Sequence, residues 1–152
     1  EFNFNRIIIG VQDTNSKVLT TVNRKQDFQK IKDVTREART LGILDVFLDL
    51  IYGLPWQSLE TTEKTFEDIL SLNPNGIAYY PFLPVPWQNS FQDAFGDFKL
   101  PDTNEKLNIY LKGISFLNDK YKHLGFGHFI SELRHILYSP ISCNIVFKII
   151  KN

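Results

Sequence analysis

The sequence predicts an α/β fold built around a parallel β-sheet. Apolar, β-branched runs alternate along the chain with segments whose apolar residues recur at helical spacing, which is typical of βαβ units. The strand-like runs are continuously apolar, as strands buried on both faces are. With 152 residues and 43% hydrophobic side chains, the chain is long enough for one domain with a core. A fragment of a (β/α) barrel and a small doubly wound sheet would both give this pattern.

The first half of the chain contains three predicted strands. Residues 6–11 form the first, and a short helix over about 15–23 follows it. Asp27 starts a better helix, which Gly42 ends as a C′ glycine. Residues 45–52 form the second strand.

The third unit begins at Ser58, which can cap a helix. Its apolar face consists of Leu59, Phe66, Ile69 and Leu70. A turn at 73–76 leads to the third strand over 77–80.

The second half starts with a loop rich in proline and aromatic residues, from Pro81 to about Lys99. Asp102 and Glu105 then have the spacing of a capping box. The predicted apolar face of the helix that follows consists of Leu107, Leu111, Ile114, Leu117 and Tyr121. We predict a fourth short strand over 123–129 and a last helix over 131–138. Residues 1–138 are assigned to one unit, and 139–152, which show no clear period, to a divergent tail.

Composition excludes several classes of function. The 17 basic and 17 acidic residues give a net charge of zero and form no basic stripe, so neither a nucleic-acid nor a membrane partner is expected. The single cysteine, Cys143, excludes an internal disulfide and fits a reducing compartment, by default the cytoplasm. The chain contains no methionine and opens on Glu1, so we expect it to be a piece of a longer protein.

Polar side chains occur at or near the predicted carboxyl ends of strands, where α/β proteins bind ligands. Gln12 and Asp13 follow the first strand, Arg24 follows the short helix, and Asp49 interrupts an apolar run. A carboxylate, a guanidinium and an amide that converge there could hold a ligand with hydroxyls and an anionic end. The alternative is an internal Asp49–Arg24 pair beside a solvated Gln12. No spacing of histidines or cysteines indicates a metal site, and no catalytic residue is predicted.

Several segments, in order along residues 4–129, resemble oxygen-independent coproporphyrinogen III oxidases, which are radical S-adenosylmethionine (SAM) enzymes. The best match is the run Leu48–Gln57, Leu-Asp-Leu-Ile-Tyr-Gly-Leu-Pro-x-Gln. The other matching segments are Asn5-Arg6-Ile7, Gly10-Val11-Gln12-Asp13, Val22-Asn23-Arg24-x-Gln26, Leu72-Asn73-Pro74, Val85-Pro86-Trp87, Leu100-Pro101-x-x-x-Glu105-Lys106-Leu107 and Gly125-x-x-His128-Phe129.

The resemblance implies a fold, cofactors and a reaction. The fold would be part of a radical-SAM (β/α) barrel that lacks its N-terminal strands. Family members use SAM and a [4Fe–4S] cluster to form a 5′-deoxyadenosyl radical. This radical takes hydrogen from propionates of coproporphyrinogen III, and loss of carbon dioxide gives protoporphyrinogen IX for haem. Gln12, Arg24 and Asp49 match SAM-binding positions, and Leu83 matches one that contributes through its backbone. The complete protein would be a cytoplasmic monomer that binds a porphyrinogen.

The chain also departs from the family pattern. The cluster motif Cys-x-x-x-Cys-x-Cys and the glycine-rich SAM segment both lie upstream of the residues covered here, so the fragment should be inactive alone. The usual Gly-Met-Asp-His-Phe is Gly125–Phe129 here, with glycine at the acidic position. One alternative is a radical-SAM haem-chaperone relative, although Asp13 and the segment 85–87 favour the oxidase. The other is a non-catalytic remnant.

Overall fold

The computed structural model describes residues 4–84 and 98–132, together with the backbone of 145–148. The strands are β1 (Arg6–Gln12), β2 (Asp45–Tyr52), β3 (Gly76–Pro81), β4 (Tyr121–Gly125), β5 (His128–Ser131) and β6 (Ile145–Lys148). The helices are α1 (Ser16–Thr21), α2 (Phe28–Thr40), α3 (Leu59–Leu70) and α4 (Thr103–Leu117).

The described strands form one mixed sheet in the order β4-β5-β3-β2-β1-β6. Strands β6, β1, β2 and β3 run parallel to one another, whereas β5 is antiparallel to both β3 and β4. The predicted α/β class is therefore confirmed, and the three predicted parallel strands lie side by side.

Each helix begins at a polar residue that accepts hydrogen bonds from the first turn. Asn15, Asp27, Ser58 and Asp102 are the N-caps of α1 to α4, and the last of these forms the predicted capping box with Glu105. A cap of this kind stabilises a helix by about 1 kcal/mol because it satisfies backbone N–H groups that lack a partner within the helix. The predicted helix starts at these residues are confirmed.

The predicted apolar face of α4 is confirmed in part, because Leu117 is buried and Ile114 packs against the core. Leu107 and Leu111 are 53% and 52% exposed, whereas the residues of α4 that are buried are Ile109, Gly113 and Leu117. Tyr121 is buried, but it lies in β4, beyond the end of α4. The helix is therefore rotated relative to the prediction, so that its smallest residue faces the sheet.

The single strand predicted over 123–129 is a β-hairpin. Phe126 and Gly127 form the turn, and both have positive φ, which is the backbone twist that two-residue hairpins need. A Cβ on Gly127 would lie 2.4 Å from the carbonyl oxygen of Tyr79, so only glycine fits there without displacing β3. The glycine at the family's acidic position thus has a structural reason in this chain.

The C-terminal predictions have mixed outcomes. Ser131, the first residue of the predicted last helix, ends β5, and residues 133–138 lie outside the described part of the chain. Within the region predicted as a tail, 145–148 pair in parallel with Arg6–Ile9 of β1. The division of the chain at residue 138 stays a prediction.

The two faces of the sheet differ in chemistry. Alternate residues of β1 and β2, such as Ile9, Val11, Leu48 and Leu50, are fully buried in the core with residues of the helices. The residues between them point to the opposite face because side chains alternate along a strand. On that second face the sheet carries Gly10, Asp49 and other partly exposed residues, and the candidate site lies there.

Candidate ligand-binding site at the carboxyl edge of the sheet

The site is arranged around one row of residues that crosses the sheet. Gly10 of β1 is opposite Asp49 of β2, Asp49 is opposite Ala78 of β3, and Ala78 is opposite His128 of β5. Residues in register on neighbouring strands share a face, so all four lie on the face away from the helices. Gly10 and Ala78, the two neighbours of Asp49 in this row, both have small side chains or none.

Gln12 and Arg24 lie at the β1 end of this row. A Cβ built on Gly10 would be 3.4 Å from Gln12 Nε2 and 3.8 Å from Arg24 Nη1, so both side chains lie over the same backbone position. Gln12 has φ of 66°, and the register with β2 shifts between Gly10 and Gln12. The Gln12 side chain nevertheless lies over the face that Gly10 occupies. The structure therefore brings Gln12 and Arg24 next to the strand position that faces Asp49.

Leu83 lies near the same edge. It is two residues beyond the end of β3, and its side chain is 67% exposed. A residue that acts through its backbone does not need a particular side chain there. The SAM-binding roles of Gln12, Arg24, Asp49 and Leu83 remain predictions.

The alternative internal pair between Arg24 and Asp49 is wrong. No ion pair joins the two side chains in the described part of the chain. Arg24 Nη1 instead donates to the carbonyl oxygen of Gly10 at 3.0 Å, and Gln26 Nε2 donates to that of Val11. These two residues of the Asn23-Arg24-x-Gln26 segment thus fix the end of β1.

Asp49 is a partly buried carboxylate without a hydrogen-bond partner in the described residues. Burial raises the pKa of Asp49 above its ordinary value of 3.8, and the nearby charge of His128 opposes this effect. Burial likewise lowers the pKa of Arg24 below its ordinary value. A ligand that supplies hydroxyl groups to Asp49 would replace the hydration that the carboxylate has lost.

Asp13, the other predicted polar residue at this edge, has a structural role, because its hydrogen bonds join parts of the fold. Its carboxylate is fully buried and accepts from Asn15 N at 2.7 Å, Thr65 Oγ1 at 2.9 Å and Gln57 Nε2 at 2.7 Å. Gln57 also donates to Ile51 O and accepts from Leu54 N. Asp13 and Gln57, which belong to two separate motif segments, therefore connect β1, the loop after β2 and α3.

Sequence reasoning missed one pair of residues at the site. The Tyr80 hydroxyl and His128 Nε2 are 2.9 Å apart, and their rings meet edge to face with centroids 5.4 Å apart. Both residues interact electrostatically with Asp49. His128 was visible as part of the Gly125-x-x-His128-Phe129 segment, but its position opposite Ala78 depends on a hairpin that was not predicted.

In the ranges 4–84 and 98–132, no group of three or more His, Cys, Asp or Glu residues could hold a metal ion. Within those ranges there is also no helix with the length and apolar character needed to cross a membrane.

Comparison with solved structures identifies the class of protein. A crystal structure of Escherichia coli coproporphyrinogen III oxidase, described as a radical SAM enzyme, superposes with a TM-score of 0.79 at 34% identity, covering 85% of this chain and 30% of that one. An archaeal Elp3 from Methanocaldococcus infernus has a TM-score of 0.61 at 23% identity, which shows similarity of fold alone. The described residues form a segment of the radical-SAM α/β fold, which confirms the predicted partial barrel.

Sequence comparison narrows the class to one family. The chain is 37% identical over 127 residues to the oxygen-independent coproporphyrinogen III oxidase of Helicobacter pylori, and 36% identical over 127 residues to that of E. coli. Identity to the Synechocystis enzyme is 38% over 130 residues. No family model matches the chain. The chain is similar to one segment of the oxygen-independent coproporphyrinogen III oxidases, and it spans 28% of the length of these relatives.

Proposed function

We propose that this chain is part of an enzyme that converts coproporphyrinogen III to protoporphyrinogen IX without oxygen, by oxidative decarboxylation in haem biosynthesis. The observation that carries the proposal is the grouping of Gln12, Arg24 and Asp49 around Gly10 at one edge of the sheet. All three match SAM-binding positions of the family that the chain resembles. Identities of 36–38% to three coproporphyrinogen oxidases supply the substrate class.

The residues present fit SAM. Asp49 is an acceptor that receives no hydrogen bond from the described residues and could accept hydrogen bonds from ribose hydroxyls. Arg24 uses Nη1 for Gly10 O and Gln26, and its other guanidinium N–H groups, which make no hydrogen bond to the described residues, could donate to a carboxylate. The backbone at Leu83 supplies a further polar contact near the end of β3. When bound, SAM supplies the radical chemistry of hydrogen abstraction, and the role of these residues is to hold and orient it.

The residues present do not fit a [4Fe–4S] cluster. Such a cluster is held by thiolates, and this chain has one cysteine, Cys143, which lies outside the described residues. The cluster ligands of the proposed enzyme must therefore come from residues that are not in this chain. The 152 residues alone are proposed to be inactive. The proposed enzyme is a cytoplasmic monomer, a location that fits a chain with one cysteine.

The first test is the DNA sequence upstream of the codon for Glu1. We expect an open reading frame that encodes Cys-x-x-x-Cys-x-Cys and continues into this chain. The second test is anaerobic turnover by the complete protein, with SAM, a reductant and coproporphyrinogen III. Formation of protoporphyrinogen IX and 5′-deoxyadenosine supports the proposal. A stop codon before any such motif, or SAM cleavage that never consumes coproporphyrinogen, would contradict it.

A further inference from the structure

Tyr80 and His128 form a hydrogen-bonded pair beside the proposed SAM site, and the pair keeps one donor for a ligand. Between them, a phenol and a neutral imidazole carry one O–H and one N–H. The contact between Tyr80 Oη and His128 Nε2 at 2.9 Å uses one of these protons. Whichever group donates, the other proton remains on an atom that makes no other hydrogen bond to the described residues.

The pair lies on the face of the sheet that carries Asp49. His128 is opposite Ala78, and Ala78 is opposite Asp49, so His128 is two strands away from Asp49 in the same row. Two strand spacings correspond to about 10 Å between the Cα atoms of Asp49 and His128. Tyr80 is two residues after Ala78 on β3 and therefore shares its face. His128 is exposed and Asp49 is partly exposed, so a molecule that lies along this face could reach Asp49 and the pair together.

We propose that the Tyr80–His128 pair donates a hydrogen bond to a propionate carboxylate of the porphyrinogen, next to SAM on Asp49. This inference rests on the proposed function. Pyrrole nitrogens of a porphyrinogen carry hydrogen and act as donors, so the four propionates are its only strong acceptors. A donor that is aimed at the substrate must therefore meet a carboxylate, and hydrogen bonds to charged groups are the stronger class.

The site-directed test uses the complete protein and two variants, His128→Gln and Tyr80→Phe. Each removes one member of the pair while keeping much of the side-chain volume. We expect each to raise KM for coproporphyrinogen III about tenfold, which corresponds to about 1.4 kcal/mol. The double variant should be no worse than the poorer single one, because the two residues act as one unit. The Kd for SAM should stay within about threefold of the wild-type value.

His123→Gln is the matched control. His123 lies on the neighbouring strand β4, opposite Phe129 and stacked on its ring. Since Phe129 is opposite Ile77 in the core, His123 is on the face away from the proposed ligand. We expect KM for coproporphyrinogen III to be unchanged in this variant, even if the loss of the ring contact lowers its melting temperature.

A substrate-side measurement tests the carboxylate directly. Inhibition constants of coproporphyrin III and of its tetramethyl ester are compared in the wild type and in His128→Gln. We expect the variant to weaken inhibition by the acid about tenfold and to leave inhibition by the ester unchanged.

The possible failures are distinguishable. A wild-type protein that does not convert coproporphyrinogen III refutes the proposed function. An active wild type whose variants keep KM within twofold overturns the inference alone. A rise in the Kd for SAM without a rise in KM also overturns it, because His128 would then act through Asp49. An equal loss of inhibition by acid and ester overturns the assignment to a carboxylate.

Discussion

Replacement of Asp49 by asparagine separates a ligand-binding role from a structural one. The side chain is partly buried, faces Gly10 across the sheet and has no hydrogen-bond partner in the described part of the chain. Asparagine keeps the shape of aspartate and removes its charge. We therefore expect Asp49→Asn in the complete protein to weaken SAM binding without lowering the stability of the fold.

The size of the effect follows from the hydrogen bonds that would be weakened. A hydrogen bond to a charged group contributes roughly 1.5–3 kcal/mol, and each 1.4 kcal/mol changes an affinity about tenfold. The Kd for SAM should accordingly rise about tenfold to a hundredfold. Titration calorimetry under anaerobic conditions measures this directly, and SAM cleavage at saturating SAM should be affected less than cleavage at low SAM.

Stability should respond in the opposite direction. Burial raises the pKa of Asp49, so the folded state favours the protonated, neutral form over the ionised one. At neutral pH the ionised carboxylate therefore costs stability, and the neutral amide relieves that cost. The melting temperature of Asp49→Asn without SAM should equal or exceed that of the wild type.

Asp45→Asn is the matched control for this prediction. Asp45 is on the same strand and the same face, four residues earlier, and its Oδ2 pairs with Arg6 Nη2 at 3.4 Å. Loss of this mostly buried pair should lower the melting temperature while the Kd for SAM stays unchanged. An unchanged Kd in Asp49→Asn, combined with a lowered melting temperature, would refute the ligand role of Asp49.

Three further predictions concern stability and cluster binding. Asp13→Ala leaves buried donors without an acceptor and should destabilise the fold by at least about 2 kcal/mol in denaturant titrations. Burial raises the pKa of Asp13, so the wild type should gain stability relative to Asp13→Ala as the pH falls through that raised pKa. The difference in the free energy of unfolding should level off below pH 3.8, and a pH-independent difference would contradict this. Gly127→Ala should lower the melting temperature more than Gly42→Ala. Both positions have positive φ, but only the Cβ added at Gly127 would clash with a backbone atom, Tyr79 O. Equal losses in melting temperature would argue against that contact. Reconstitution of the 152-residue chain with iron and sulfide should give no four-iron absorbance, because Cys143 is its only thiol; a stable cluster would disprove this.

Local signals predicted most of the fold because they act over a few residues. Helix starts follow from N-cap residues whose partners lie two or three positions ahead, as at Asn15 and Asp27. The parallel strands follow from apolar runs that need no knowledge of their neighbours. β2 begins and ends at the predicted residues, Asp45 and Tyr52.

Features that depend on distant partners were not predicted. The buried face of α4 is set by Gly113, where a Cβ would lie 2.6 Å from Tyr79 Cε1. A pattern of apolar residues cannot detect a position at which the absence of a side chain allows close packing. The hairpin at Phe126 and Gly127 was missed for a related reason, because its turn lacks the Asn-Gly signal typical of such turns.

The same distinction separates the residues of the candidate site. Gln12, Arg24 and Asp49 were identified by their positions near strand ends and by their match to the family. Their grouping around Gly10 depends on the register of β1 with β2 and on the positive φ of Gln12. Neither property can be read from the sequence, so the grouping of the three side chains became visible only in the structure.

The motif segments thus contain two kinds of residue with different energetic roles. Asp13, Gln26 and Gln57 have their polar atoms satisfied inside the protein, and their loss should appear first as a loss of stability. Asp49 and the Tyr80–His128 pair keep acceptor or donor capacity that the described protein does not use. For the partly buried Asp49, unused acceptor capacity costs free energy in the free protein and is recovered only when a ligand binds. His128 is exposed, so water can satisfy the pair in the free protein. For both groups, binding measurements are where their contribution should be found.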